Sequence, residues 1–203
     1  MKEHWDNRYS SKEYAYGEAP NEYFKEQLLQ LEPGKILLPS EGEGRNAVFA
    51  AKIGWEVTAF DISKVGKAKA EALAQKQGVS IDYHLAEFSK ISFEEGSFDA
   101  IGIVFAHFPP HLQATYYKTL STYLKKGGAL IAEVFSKNQL TYQAANEYAG
   151  GPKNIDMLFS TEEVVQLFPD LEFVTLEEKE VALHEGIYHD GTSSVIRVLG
   201  KKK

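Results

Sequence analysis

The chain has 203 residues, 43% of them hydrophobic and 25% charged, enough for one well-buried α/β domain and ordinary for a soluble enzyme. A formal net charge of -7, with no basic stripe before Lys201 to Lys203, argues against a nucleic-acid partner, and those lysines read as a solvated tail. The absence of cysteine excludes disulfides, thiolate metal sites and cysteine nucleophiles; with no apolar run long enough for a membrane span and no signal-peptide core, a cytoplasmic location is expected.

The stretch from Trp5 to Gly17 is unusually aromatic, with Tyr9, Tyr14 and Tyr16 inside eight positions. These rings either pack on the domain surface and hold down an arm of residues 1–20, or form a lid over a ligand. Phe24, Leu28 and Leu31 predict a helix over Pro20 to Gln30, stopped by Pro33-Gly34. Lys35 to Leu38 reads as a short buried strand, Gly42-x-Gly44 as a sharp turn, and an apolar helical pattern runs from Asn46 to a stop at Gly54. Strand, glycine turn and helix leave free backbone N–H groups facing a ligand with no side chain in the way. A second strand, Glu56 to Asp61, ends on a carboxylate 17 residues beyond Gly44. That is near the roughly 20 expected for an acid holding ribose hydroxyls, so the pocket suits a nucleoside.

Ser63 can cap a helix from Val65 to about Gln77, which Gly78 ends. Ile81 to Leu85 and Ser97 to Phe105 read as the next strands, the latter with the near-continuous apolar run of a central parallel strand. Between them, Glu87 is either a plain loop carboxylate or an acceptor for an exocyclic amine. Ala106 to His111 leaves a strand at its carboxyl end, where open α/β sheets place their chemistry. A helix carrying Leu112 to Leu124 follows, broken by Gly127-Gly128 before a strand from Ala129 to Phe135. Ser136 to Leu158 shows little periodicity and reads as a flexible cover or a substrate wall. Ser160-Thr-Glu-Glu163 matches a capping box opening a helix to Phe168. Leu171 to Val181 and Ser194 to Leu199 should pair as an antiparallel hairpin around the loop 182–193.

Gly42-x-Gly44-x-x-Ala47 also satisfies a relaxed dinucleotide fingerprint, so an NAD-dependent oxidoreductase has to be weighed. Two features oppose it. Five parallel strands run into a terminal hairpin rather than a second mononucleotide half, and Glu41 and Glu43 would repel a pyrophosphate yet suit an ammonium or sulfonium.

Leu37 to Asn46, Asp61, Glu87 in Ala-Glu-Phe and the terminal hairpin resemble the class I S-adenosylmethionine-dependent methyltransferases. The arm Trp5-Asp-x-Arg8-Tyr9 with Tyr16-Gly17 and Pro20-Asn21, together with Gly150-Gly-Pro-Lys153 and His184-Glu-Gly-x-Tyr-His189, is similar more narrowly to the small bacterial tellurite-resistance-like branch. The resemblance implies a three-layer α-β-α Rossmann-like fold with a mostly parallel seven-stranded sheet and a C-terminal antiparallel hairpin, in a single domain over residues 1–203. It implies S-adenosylmethionine as cofactor, with the amino-acid half held by Glu41, Gly42, Glu43, Gly44 and Asn46. Asp61 would serve the ribose hydroxyls, Glu87 and Phe88 the adenine, and Tyr16, Ile62, Ser63, Phe105 and Ala106 are the further expected cofactor residues. The family commonly has Asp-x-Gly-x-Gly where this chain has Leu38, Ser40 and Gly42, and Glu41 or Glu43 could supply the negative charge instead.

Methyl transfer from a sulfonium needs an in-line nucleophile and exclusion of water. His107 stands where the acceptor should lie and is either a proton acceptor or a structural imidazole. Tyr9, Tyr14, His184, Tyr188 and His189 are candidate borders of the acceptor pocket. Pro109-Pro110 prevents a helical His107/His111 pair and His184/His189 lacks a third ligand, so no metal is expected. The absence of an Asn-Pro-Pro-aromatic motif disfavours nucleobase methylation, leaving a small-molecule acceptor, a thiol or metalloid oxyanion, or a non-catalytic adenosylmethionine binder.

Overall fold

The computed structural model describes all 203 residues. In chain order the elements are α1 (Lys2–Arg8), α2 (Glu22–Leu28), β1 (Lys35–Pro39), α3 (Arg45–Lys52), β2 (Glu56–Asp61), α4 (Lys64–Gln77), β3 (Asp82–Leu85) and β4 (Phe98–Val104). They continue with α5 (Pro110–Tyr123), β5 (Leu124–Phe135), α6 (Gln139–Ala145), α7 (Thr161–Leu167), β6 (Leu171–His184) and β7 (Asp190–Lys202).

The seven strands form one sheet in the order β3-β2-β1-β4-β5-β7-β6. β1 to β5 are parallel, and β7 inserts antiparallel between β5 and β6. Both faces are covered because the central strands are apolar on both sides. Ile36 and Leu38 point to one face, packing with Phe24 and Leu28 of α2 and Ala70 of α4. Leu37 points to the other, in a core with Tyr117 and Leu120 of α5 and Val164 of α7. Consecutive connections run outward from β1 in one direction and from β4 in the other, so the carboxyl ends of these neighbours open a crevice.

The caps follow from local chemistry. Asn21 Oδ1 accepts the Phe24 N–H at 2.9 Å to start α2, and Ser63 Oγ accepts the Gly66 N–H at 3.0 Å to start α4. Ser160 and Glu163 form the expected reciprocal capping box.

Several boundaries differ from the sequence reading. β5 begins at Leu124 and runs through Gly127-Gly128, because pairing with β4 and β7 absorbs the glycines at a bulge opposite Phe98 and Ala100. The hairpin loop shrinks to residues 185–189, since polar His184, Asp190 and Thr192 continue the ladder on an edge open to water. Lys201 and Lys202 belong to β7 rather than to a solvated tail, and Lys202 Nζ reaches Asp170 at 3.2 Å. The segment 136–158 holds α6, fixed by long-range bonds rather than periodicity: buried Gln139 donates to the Ala149 and Gly150 carbonyls and accepts the Ser194 N–H.

A buried polar network ties the ends of the chain together. Asn21 Nδ2 donates to Glu133 Oε1 at 2.8 Å and to Glu185 Oε1 at 2.9 Å, while its backbone N–H donates to Asn46 Oδ1. Arg197 balances Glu133 at 2.6 Å and Arg45 balances Glu185 at 2.8 Å. Asn21→Asp keeps the cap oxygen but turns a donor into a third carboxylate. Denaturant unfolding should show a loss on the order of 3 kcal/mol, the cost of an uncompensated buried charge. An unchanged midpoint would remove the amide bridge as a stabilising element.

Candidate active site

A cavity of about 420 Å³ opens at the carboxyl ends of β1, β2 and β4. Its size falls within the roughly 300 to 1,000 Å³ of small-molecule sites. The only two non-glycine residues with positive φ, Ser40 at 53° and Phe105 at 50°, end β1 and β4 and line it. Ser40 stands where the family commonly has glycine, and it adopts the left-handed conformation that glycine favours.

The turn is built around Gly42 (φ 61°), where a Cβ would stand only 2.6 Å from the Tyr9 hydroxyl. Its carbonyl accepts from Tyr83 Oη at 2.6 Å and its N–H donates to Asp61 Oδ2 at 3.1 Å. Asp61 Oδ1 accepts the Ser63 N–H at 2.8 Å. Burial pushes the Asp61 carboxyl up to about 6 against those donors, and each oxygen keeps a lone pair for a ligand hydroxyl.

Glu41 and Glu43 separate into different roles. Glu41 Oε1 accepts the Ala47 N–H at 2.7 Å at the start of α3, and burial raises its pKa to about 7, opposed by that bond and by Arg45. Glu43 faces the arm: Oε2 accepts the Ala15 N–H at 2.7 Å and Oε1 lies 2.5 Å from Lys69 Nζ, an ion pair rather than a directed hydrogen bond. Lys69 also donates to the Tyr9, Ser11 and Glu13 carbonyls, and Asp6 accepts from Ser63 Oγ. These bonds clamp the arm, whose first residues form the helix α1 that the sequence reading lacked. Met1, Lys2, Trp5 and Tyr9 thereby roof the cavity.

Of the expected cofactor residues, Tyr16, Glu41, Gly42, Glu43, Asn46 and Asp61 meet on this cavity, as do Ile62, Glu87, Phe88, Phe105 and Ala106. Gly44 does not. A Cβ there would lie 2.5 Å from Ala70 Cβ, so it serves the packing of α3 on α4. Ser63 is buried as the α4 cap and lines no part of the cavity. Among the expected acceptor residues, Tyr9 and His189 line it and three do not. Tyr14 packs on α4 with its hydroxyl on the Lys69 carbonyl, exposed His184 pairs with Asp190 at 2.9 Å, and Tyr188 lies under the Arg8 guanidinium. No residue of the segment 136–158 lines the cavity, so it is not the expected wall.

His107 lines the cavity, but both ring nitrogens are engaged by backbone. Nδ1 lies 2.8 Å from the Met157 carbonyl and Nε2 accepts the Phe135 N–H at 3.4 Å. Burial pushes its pKa down to about 4 against the bond to Met157. His107 is thus a buried imidazole with both ring nitrogens held by backbone groups. The sequence reading missed Ser40, Arg45, Phe108 and Tyr116 on the wall; aromatics after β4 were visible, but their direction depends on the turn that starts α5.

Because native His107 resists protonation, the stability it contributes is complete above its unfolded value of about 6.5. It is lost as pH falls through about 4. Melting temperature should therefore fall from pH 7 to pH 4 less steeply in His107→Gln than in wild type. Parallel pH profiles would remove His107 from this linkage.

Residues 37–128 match the family profile of a methyltransferase domain. A search among curated proteins finds no match. Among solved structures, the chain is similar to a protein of echinomycin biosynthesis, described for conversion of a disulfide bond into a thioacetal group. That comparison gives a TM-score of 0.78 at 17% identity, covering 100% of this chain and 92% of that one. It is similar to TehB from Haemophilus influenzae (TM-score 0.73, 18% identity, 100% of this chain and 67% of that one). It is also similar to the 1,6-didemethyltoxoflavin-N1-methyltransferase of Burkholderia thailandensis, solved with 1,6-didemethyltoxoflavin and S-adenosylhomocysteine (TM-score 0.62, 18% identity, 90% and 79%). The strand order with its antiparallel β6-β7 hairpin, the matched domain and the cavity at the ends of β1, β2 and β4 lead to one conclusion: residues 37–128 carry an S-adenosylmethionine-dependent methyltransferase domain on the class I fold.

Proposed function

We propose that the chain transfers the methyl group of S-adenosylmethionine to a small, soft acceptor, a thiol or a metalloid oxyanion. The observation that carries this reading is the aromatic cavity of small-molecule size, roofed by Met1 and by Lys2 and Trp5 of α1. The Burkholderia relative in fold, holding a small heterocycle beside the demethylated cofactor, supports the same scale of acceptor.

The residues fit the cofactor by their chemistry. Asp61 would take the ribose hydroxyls, Glu87 the exocyclic amine, and Ile62 and Phe88 the two sides of the adenine. The Gly42 turn and Asn46 would border the amino-acid end. Glu41 is the acid that replaces the family's missing Asp, because Glu43 is committed to Lys69 and Ala15. When bound, the cofactor supplies an activated methyl group. The chain's own task is to orient the acceptor behind that methyl and keep water out. Rings at Tyr16 and Phe105 suit a polarisable sulfur or metalloid atom.

Turnover of a panel of thiols, metalloid oxyanions, phenols and amines tests the reading. Methylation of RNA or protein with no small acceptor used would overturn it. Calorimetry should show adenosylmethionine binding and no NAD binding, and Asp61→Ala should weaken affinity by about 1 to 3 kcal/mol, the range for a hydrogen bond to a charged group. A cationic ligand favours ionised Glu41, whose pKa lies near 7, so binding should release a proton. Affinity should rise with pH from about 6 to 8 in wild type and stay flat in Glu41→Gln; equal slopes would assign the charge to another group.

A further inference from the structure

His189 differs from His107 in one respect that bears on the chemistry. It is 5% exposed and lines the cavity, with its ring centroid 4.5 Å from Tyr16 and 4.5 Å from Phe105. Its Nδ1 lies 3.2 Å from Glu185 Oε2 across a loop closed by the Glu185 N–H donating to the His189 carbonyl at 2.8 Å. Glu185 is itself fixed: Oε2 accepts from Arg45 at 2.8 Å and Oε1 from Asn21 Nδ2 at 2.9 Å. Burial pushes this carboxyl up, but the bonds from His189 and Arg45 outweigh it and hold it at about 2. An ionised carboxylate only accepts, so His189 Nδ1 carries the proton and Nε2 keeps its lone pair. Nε2 has no partner within the chain, and the buried polar atoms left without partners lie elsewhere, at Tyr23, Glu43 and Trp55. The lone pair therefore opens on the cavity.

The wall also constrains the charge of the acceptor. Glu41, Asp61 and Glu87 line the cavity, whereas the Arg45 guanidinium is already bonded to Glu185 and to the Tyr16 carbonyl, and Lys2 to Asp6. Of the two soft acceptors, an anionic metalloid oxyanion finds no free arginine there, whereas a neutral thiol fits. A thiol of ordinary pKa, about 8.5, is mostly protonated at neutral pH and needs a base.

Resting on the methyl-transfer reading above, we infer that His189 is the catalytic base for a neutral thiol acceptor and that Glu185 is its positioning residue. His189 Nε2 takes the thiol proton as the acceptor sulfur bonds the methyl carbon and the sulfonium sulfur–carbon bond breaks. The electrons of that bond stay on the departing sulfur. One thiol and one sulfonium become two thioethers and a proton, which the imidazolium, held by Glu185, passes to water. The groups facing His189 are Glu185 from its own loop, Arg45 from α3, Arg8 from α1, and Tyr16 and His107 across the cavity. Burial, with Arg45 and Arg8, pushes the His189 pKa below the ordinary imidazole value while Glu185 pulls it up, so the free base is present at neutral pH.

The test compares wild type, His189→Gln and Glu185→Gln with alkanethiols and with arenethiols, which ionise at lower pH, from about pH 5.5 to 9. His189→Gln should lower kcat for alkanethiols by about 10²-fold or more, lose the rising acid limb, affect arenethiols far less, and bind adenosylmethionine as wild type does. Glu185→Gln should lower kcat less and move the limb. Equal kcat in wild type and His189→Gln overturns the dyad. Nitrogen-15 NMR of the wild-type histidines reads the dyad without turnover: Nδ1–H with bare Nε2 is expected, with Nε2 shifting when an alkanethiol joins the protein bound to S-adenosylhomocysteine. The Nε2–H tautomer, or no response to thiol, overturns the assignment. Tight cofactor binding with no thiol methylated by wild type overturns the thiol acceptor, and the soft-acceptor reading falls as well if metalloid oxyanions are not methylated either.

Discussion

The structure depends on one amide. Asn21, 1% exposed, stands between the carboxylates of Glu133 and Glu185 and donates one N–H to each. Two buried acids so close together are costly unless every oxygen is met, and here the second oxygen of each is met by an arginine, Arg197 or Arg45. The bridge joins five parts that share no local sequence: the start of α2, the start of α3, the inner strands β5 and β7, and the hairpin loop. Hydrophobic layers stack the helices on the sheet, but this network sets the distance between the cavity's walls.

The electrostatics of the cavity follow from that arrangement. Buried Arg45 and half-buried Lys69 are spent on Glu185 and Glu43, which leaves Glu41 and Asp61 without an ion-pair partner. Both acids are held partly protonated by burial, a poor environment for phosphate and a good one for a sulfonium or ammonium. Backbone strain is concentrated in the same place, at Ser40 and Phe105, where two strand ends turn away from the sheet.

Much of this was legible in the sequence because it is local. Lys35 to Leu38, the Gly42 turn, α3 and Asp61 lie within one β-α-β unit, and their roles follow from spacing. The hairpin and the Ser160 capping box were readable for the same reason. Gly44 misled because a glycine in a turn that serves helix packing looks the same as one that serves a ligand. The position of His107 was readable, but its partners, Met157 and Phe135, are not near it in sequence, so its two readings stayed open there. Glu133, a lone acid inside the apolar run Ala129 to Phe135, was a visible sign of a buried partner that the reading passed over. α6 gave no periodic signal since Gln139, its anchor, is polar and buried.

The insertion of β7 between β5 and β6 has a consequence for how the molecule is made. β7 follows β6 in sequence yet lies inside the sheet, so the sheet cannot close until residues through β7 have left the ribosome. Asn21 then waits for Glu185, 164 positions later, before its second N–H is satisfied. Such sequence-distant contacts slow folding, because loop closure has to precede the reward. A nascent chain containing the entire matched domain, residues 37–128, would still lack Glu133, His189 and the strand that seats them. The cofactor turn can thus form early, whereas the wall opposite it assembles last.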